Sequence, residues 1–284
     1  MRGGLQKNQP RDMPDPIPEY EVYALRYATR DGRRRDHFVG GDPHDGPMPM
    51  DYFIWVAVGA GRTIVIDTGF TEEVSRRRGG RTYLRCPVQA LQQLDIAADG
   101  VSDVILTHLH YDHAGNFDRF PAARFHLQEA ELNYATGRYM QYPRLSHSFE
   151  VDDVCGLVRL NYRQRVLFHN GDGQVAPGVS VHFAGGHTAG LQFVRIHTRR
   201  GWIVLASDVS HFYENFEQGR PFSSAFHVGQ MLEGFDRLRA LADSDAHIVP
   251  GHDPLVMQRY APASAPLEGI AVKLHQAPHG PQGR

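Results

Sequence analysis

Thr107-His108-Leu109-His110-Tyr111-Asp112-His113-Ala114-Gly115-Asn116 places four metal-binding side chains within six positions, directly after the apolar run Val104-Ile105-Leu106. That run reads as a buried strand ending at Thr107, so His108, His110, Asp112 and His113 sit on a loop just past a strand end. Imidazole nitrogen and carboxylate oxygen together suit a zinc-like divalent ion, and the lack of cysteine in the cluster argues against a purely structural thiolate site. His108 and His110 can serve one ion, while Asp112 and His113, displaced along the turn, can serve a second. A histidine-rich surface turn is the plain alternative, and the density and order of the ligands weigh against it.

The rest of the chain sets the frame for this loop. At 284 residues a two-layer sheet sandwich with flanking helices can form as one unit. A net charge of -2 and a hydrophobic fraction of 41% give no reason to expect nucleic acid or an acidic membrane surface as partner. Cys86 and Cys155 lie far apart and outside the ligand cluster, which suits free thiols in a reducing compartment. No run is long enough to cross a bilayer and the N-terminus has no apolar leader segment, so the expectation is a cytoplasmic protein without a membrane partner. Residues 1–18, with Pro10, Pro14, Pro16 and Pro18 among charged residues, read as a flexible arm. The domain is expected over 19–262 and a tail over 263–284, with His275 and His279 as tail residues.

Alternation over Tyr20–Ala28 predicts a first strand, and Tyr52–Val58 and Thr63–Ile66 a hairpin leading into Asp67-Thr68-Gly69. The second half repeats this plan, Phe193–His197 and Trp202–Ala206 leading into Ser207-Asp208. Helices are predicted for Pro87–Leu94, with proline in the first turn, for Gln128–Ala135, and for Phe226–Ala242 with an apolar stripe of Val228, Met231, Leu232, Phe235, Leu238 and Leu241. His126, in a strand-like run, reads as structural. Residues 137–173 read equally as a substrate lid or as a surface subdomain. The basic patch Arg76-Arg77-Arg78, Arg81 and Arg85 reads as a solvated loop, with capture of an anionic group as the minority alternative.

The pattern HxHxDHAGN at 108–116 resembles the signature of the metallo-β-lactamase superfamily, and the likeness extends over roughly residues 20 to 260. The resemblance implies an α/β (α+β) chain folded as an αββα sandwich with a dinuclear site at one edge. It further implies that His187 in Gly185-Gly186-His187-Thr188-Ala189-Gly190 completes the first ion's set, that Asp208 bridges, and that His252 in Pro250-Gly251-His252-Asp253 completes the second. The implied metal ligands are thus His108, His110, Asp112, His113, His187, Asp208 and His252, holding two divalent ions, zinc first among them. Asp67 is expected to orient a ligand imidazole, with turn capping as the alternative.

Two such ions about 3.5–4 Å apart supply a hydroxide near neutral pH and polarise the carbonyl it attacks, and no serine or cysteine nucleophile is needed. Within the superfamily the chain is most similar to the N-acyl homoserine lactonase branch, which implies opening of a lactone ring by a hydroxide held between the ions. Asp112 and Asp208 can relay a proton to the departing alkoxide. One departure stands out: the lactonases carry a tyrosine three residues after the bridging aspartate, where this chain has His211, with Tyr213 two further on. His211 and Tyr213 are both candidates to contact substrate. The expected partner is a small-molecule lactone or related ester, and a homodimer is left open. Alternatives are a glyoxalase II-like thioester hydrolase, an iron-dependent sulfur dioxygenase of the same fold, and a non-catalytic metal-binding scaffold. Selectivity is expected from apolar walls, with Met48, Met50, Tyr139, Met140, Phe216 or Phe222 burying an acyl tail.

Overall fold

Along Met50–Gly59, Phe53, Trp55 and Ala57 alternate with Tyr52, Ile54 and Val56, and all six are buried. A strand that is apolar on both faces has to be covered on both sides. The computed structural model, which describes residues 16–279, supplies a second sheet on one side and helices on the other.

The first sheet contains β1 (Glu21–Arg30), β2 (Met50–Gly59), β3 (Arg62–Ile66), β4 (Thr82–Tyr83), β5 (Asp103–Ile105), β6 (Arg124–Gln128) and β7 (Val166–His169). The second contains β8 (Gly173–Ala176), β9 (Val179–Phe183), β10 (Gln192–Thr198), β11 (Gly201–Ser207) and β12 (Ile248–Pro250), and β13 (Ala271–Lys273) returns to the first. Strand order is β13-β1-β2-β3-β5-β6-β7, with β4 also on β1, and β12-β11-β10-β9-β8. Between the sheets Phe53, Trp55, Ile64, Ile66 and Ile105 meet Val181, Val194, Ile196 and Leu205. Truncating a side chain as large as Trp55 in this layer is expected to cost roughly 3–5 kcal/mol.

The outer face of the first sheet, with Val65, Val104, Leu106 and Phe125, is covered by Val88 and Leu91 of the helix Pro87–Gln92 and by Leu157 and Leu160 of the helix Val151–Tyr162. Met231, Phe235 and Leu238 of the helix Val228–Leu241 join the other cluster with β11. The layers are therefore αββα. Val228 and Leu232, expected in that helix's buried stripe, are instead 41% and 42% exposed. Leu232 follows Met231 by one position, about 100° around the helix from the line through Met231, Phe235 and Leu238.

Two further expectations change. The segment 137–173 is divided: Val151–Tyr162 and β7 are scaffold, whereas Arg144, Leu145, His147 and Ser148 overhang a cleft. Residues 263–279 are not a tail. β13 pairs antiparallel with β1, Val22 N donates to His275 Nδ1 at 3.0 Å, and His275 is buried, so 19–262 is too short a boundary. The three-residue strand is too brief and too closely flanked by proline and glycine to announce itself. Of the arm expected at 1–18, residues 1–15 lie outside the described residues, and Pro18 already docks through its carbonyl onto His197 at 3.1 Å. Among the described residues no helix is long and apolar enough to cross a membrane.

Candidate metal centre

The C-terminal ends of β3, β5, β9, β11 and β12 all deliver their following residues to one edge of the sandwich. After β5 the ligand loop is pinned at both ends. Thr107 donates its N–H and hydroxyl to the two carboxylate oxygens of Asp67 at 2.7 and 2.8 Å, and Gly115 N donates to Gly69 O at 2.8 Å. A Cβ on Gly115 would meet Gly69 O at 2.5 Å, so this close backbone approach requires glycine. Asn116 Nδ2 donates to Thr68 O at 2.9 Å, and Tyr27 OH donates to Asp112 O at 2.8 Å. Gly186 holds φ at 86° under Met231 N, and its turn brings His187 round to the cluster.

The ligand atoms of His108, His110 and His187 lie within 4.8 Å of one another, as do those of Asp112, His113 and His252. Asp208 lies between the two sets. Its Oδ1 is 3.3 Å from His113 Nε2 and 3.0 Å from His252 Nε2, and its Oδ2 is 3.1 Å from His187 Nε2 and 3.8 Å from His108 Nε2. All seven side chains are buried. On the far side of one ligand ring, Asp67 Oδ2 meets His113 Nδ1 at 2.7 Å, and His252 Nδ1 donates to Asp51 O at 2.9 Å. Each fixed Nδ1 turns the ring's Nε2 inward.

Burial holds His108 and His110 well below the ordinary imidazole range, and so in the neutral form a metal takes. At His113 burial pulls the same way, but the Asp208, Asp112 and Asp67 carboxylates outweigh it and raise the ring well above its usual range. Burial also opposes the charge on Asp208, yet His252, His113 and His211 keep it well below the usual carboxylate range. The centre therefore favours positive charge between its acidic groups. His108 Nε2, His113 Nε2 and Asp208 Oδ1 are buried with no hydrogen-bond partner, which is costly unless a cation accepts their lone pairs. The donor set fits divalent metal.

The structure brings His211 to the same cluster: its Nε2 is 2.9 Å from Asp208 Oδ2 and its ring stacks on Phe222 with centroids 3.5 Å apart. Burial pushes this imidazole down to about 3 against the pull of Asp208. Tyr213 does not reach the cluster, which corrects its candidacy. It begins the helix Tyr213–Gln218, its N–H donates to Asp253 Oδ2, and its ring lies under the Arg259 guanidinium at 3.7 Å, beside a separate cavity shared with Met48.

A cleft of about 300 Å³ opens over the centre. Of the six expected wall residues, Met50 and Phe222 line it; Phe216 is buried in the core, and Tyr139 and Met140 belong to the cluster under the first sheet's helices. The basic patch also divides, Arg77 staying at the surface while Arg78 and Arg81 turn into the cleft. Arg81 Nε donates to Tyr111 OH at 2.7 Å, and that phenol lies 3.3 Å from Tyr52 OH. Sequence reasoning missed Glu131. Fully buried, it accepts from Leu109 N at 3.0 Å, Thr188 Oγ1 at 2.7 Å and Gly190 N at 2.9 Å, tying the two ligand loops together. Its one available signal was an acidic side chain at a helix start between two ligand motifs.

Residues 48–252 match the model of the metallo-beta-lactamase superfamily. An N-acyl homoserine lactonase from Bacillus sp is 30% identical over 205 residues, covering 67% of this chain and 76% of that protein. A second, from Agrobacterium fabrum, is 29% identical over 220 residues, covering 67% and 75%. Among solved structures, a quorum-quenching N-acyl homoserine lactone lactonase superposes with a TM-score of 0.69 at 23% identity, over 82% of this chain and 92% of that one. The dizinc quorum-quenching lactonase AidC gives 0.64 at 15% identity, over 84% and 92%. Family match, sandwich and ligand-bearing strand ends agree, and the chain belongs to the metallo-beta-lactamase superfamily.

Proposed function

We propose that this metal-dependent hydrolase opens a lactone ring, of the N-acyl homoserine lactone type in the first instance, using two divalent ions, most simply zinc. The observation that carries the reading is the convergence of two three-residue ligand sets on Asp208, with three inward-facing atoms left unpaired. Its relatives' activity, lactone hydrolysis by about 30%-identical proteins, supports the same substrate class. His108, His110 and His187 would hold one ion, Asp112, His113 and His252 the other, with Asp208 shared. When bound, the ions polarise the ester carbonyl and make water a competent nucleophile near neutral pH.

The chain's own groups do the rest. Asp67 fixes His113 through Nδ1 and anchors the start of the ligand loop through Thr107. Glu131 locks the His187 loop to the His108 loop, so the distance between ligand rings is set before any ligand arrives. His211, neutral and braced on Phe222, donates its one N–H from Nε2 to Asp208 Oδ2 at 2.9 Å and would thereby steady the carboxylate shared between the two ligand sets. Phe222 and Met50 shed water from the cleft, while the phenols of Tyr52 and Tyr111, both held neutral by burial, keep donors available at its wall.

The test is elemental analysis of the purified protein together with a panel of lactones, thioesters, β-lactams and phosphodiesters. Close to two zinc ions per chain and turnover confined to lactones are expected. Thioester turnover with every lactone inert would move the assignment to a glyoxalase II-like enzyme, and iron in place of zinc with no hydrolysis would move it to sulfur oxidation.

A further inference from the structure

Basic groups that the metal centre does not use gather above it. Arg30 at the end of β1, Arg81 just before β4 and Arg144 in the helical turn Pro143–Ser146 line the cleft together with Arg78. Arg78 is occupied: it pairs with Glu150 at 2.6 Å and lies 4.0 Å over the Tyr111 ring. The other three have no carboxylate within ion-pairing distance among the described residues. Arg30 Nη2 reaches the sulfur of Met50 at 3.3 Å, and its Nε is buried with no acceptor. Arg81 donates to the Tyr111 hydroxyl and to Gly79 O, each at 2.7 Å, and Arg144 donates to Ser223 O at 3.1 Å.

The acidic residues in the same lining are Asp112 and Asp208 on the floor and the exposed Asp36, which faces Arg35 at 3.8 Å. Two divalent ions more than neutralise the floor carboxylates, so the arginines are not needed to balance them. A partly buried guanidinium facing only neutral acceptors recovers its lost hydration when an anion arrives, and its planar fork suits carboxylate or phosphate oxygens. Arg30 and Arg81 are such groups, and with the exposed Arg144 they bring three guanidiniums from separate elements to one mouth over the candidate metal centre.

We infer that the substrate carries, apart from the carbonyl under attack, an anionic group, carboxylate or phosphate, held by Arg30, Arg81 and Arg144. The inference deepens the hydrolase reading above and rests on its metal centre; it replaces a plain hydrocarbon tail by a charged one.

The experiment compares matched six-carbon acyl homoserine lactones ending in methyl, carboxylate or phosphate, and the corresponding thioesters, on the zinc-loaded protein. The anionic members are expected to exceed the methyl member by about tenfold or more in kcat/KM, chiefly through KM, since one hydrogen-bonded charge is worth at least that much. The carboxylate and phosphate arms identify which anion is preferred. Arg81→Gln and Arg144→Glu should each reduce the anionic-to-neutral ratio severalfold, and raised salt should reduce it in the parent protein. Arg144 is exposed and makes one hydrogen bond, so its variant keeps the test valid if Arg81→Gln disturbs Tyr111. A ratio at or below one in the parent protein, or one that neither substitution moves, overturns the inference. If lactones are inert and thioesters react, the lactone assignment falls and the ratio is judged on the thioesters. If nothing reacts, calorimetric binding of glutarate decides: equal affinity in the parent protein and Arg144→Glu overturns the inference, and severalfold weaker binding in the variant sustains it.

Discussion

Asp67 and Asp208 occupy equivalent places in the two halves of the sandwich. Each follows the second strand of an antiparallel pair, β2–β3 or β10–β11, and at each the backbone enters the left-handed region, at Asp67 itself (φ 60°) and at Ser207 (φ 46°). They stand on opposite sides of one ring, Asp67 at His113 Nδ1 and Asp208 near His113 Nε2. Their surroundings differ. The oxygens of Asp67 are taken up by the Thr107 N–H and hydroxyl and by His113, whereas Asp208 Oδ1 is buried without a hydrogen-bond partner. One strand-end device thus supplies two products, and hydrogen-bond saturation distinguishes them. A saturated carboxylate can only position its neighbours, and an unsaturated one has a lone pair to give to a cation.

The largest effect should come from Asp208→Ala. Turnover is expected to fall by on the order of a thousandfold or more, because several kcal/mol of transition-state charge stabilisation depend on both ions being placed. Kinetics with metal content measured on the same sample checks this, and a variant that keeps both ions and a tenth of its turnover would break the comparison. Asp67→Asn should be milder and of a different kind. A lost partner to a ligand imidazole costs about 10- to 100-fold in metal affinity, so activity should return as zinc is added, which the Asp208 variant cannot match. Zinc titration of the two variants separates the roles.

His211→Ala is expected to lower turnover by about tenfold to a hundredfold, the range for losing a group that orients a metal ligand, here Asp208. A loss as great as that at Asp208 would shift the chemistry from the metals to this side chain. Tyr213→Phe should change turnover less than about twofold and stability by no more than about 1 kcal/mol, since its hydroxyl has no hydrogen-bond partner and lies away from the cleft. Parallel assays and thermal unfolding cover both substitutions.

The first ligand loop was legible because His108, His110, Asp112 and His113 crowd just past an apolar run, whereas the αββα sandwich and the parts of His187, Asp208 and His252 came from the resemblance that HxHxDHAGN carries. The walls were not legible. Arg30 closes a strand, Arg81 follows two glycines with φ above 60°, and Arg144 sits in a single helical turn, so their meeting depends on loop paths that no periodicity encodes. Tyr213 misled because two positions of sequence separate it from His211 but a helix start turns its side chain into the core. Glu131 was invisible for a related reason, since a buried carboxylate with three donors looks in sequence like any acidic first-turn residue.

The pairing of β13 with β1 also bears on how the chain is made. Val22 and His275 are 253 positions apart, yet they share a hydrogen bond, and β1 has β2 on one side with β13 on the other. A ribosome adding about 5–20 residues per second leaves that side of β1 without this neighbour for roughly 12–50 s after the strand emerges. During that interval an unpaired strand edge is a site for misassociation between nascent chains. Truncation before residue 271, which leaves every candidate metal ligand in place, is therefore expected to reduce soluble yield more than it reduces the specific activity of the protein that does fold.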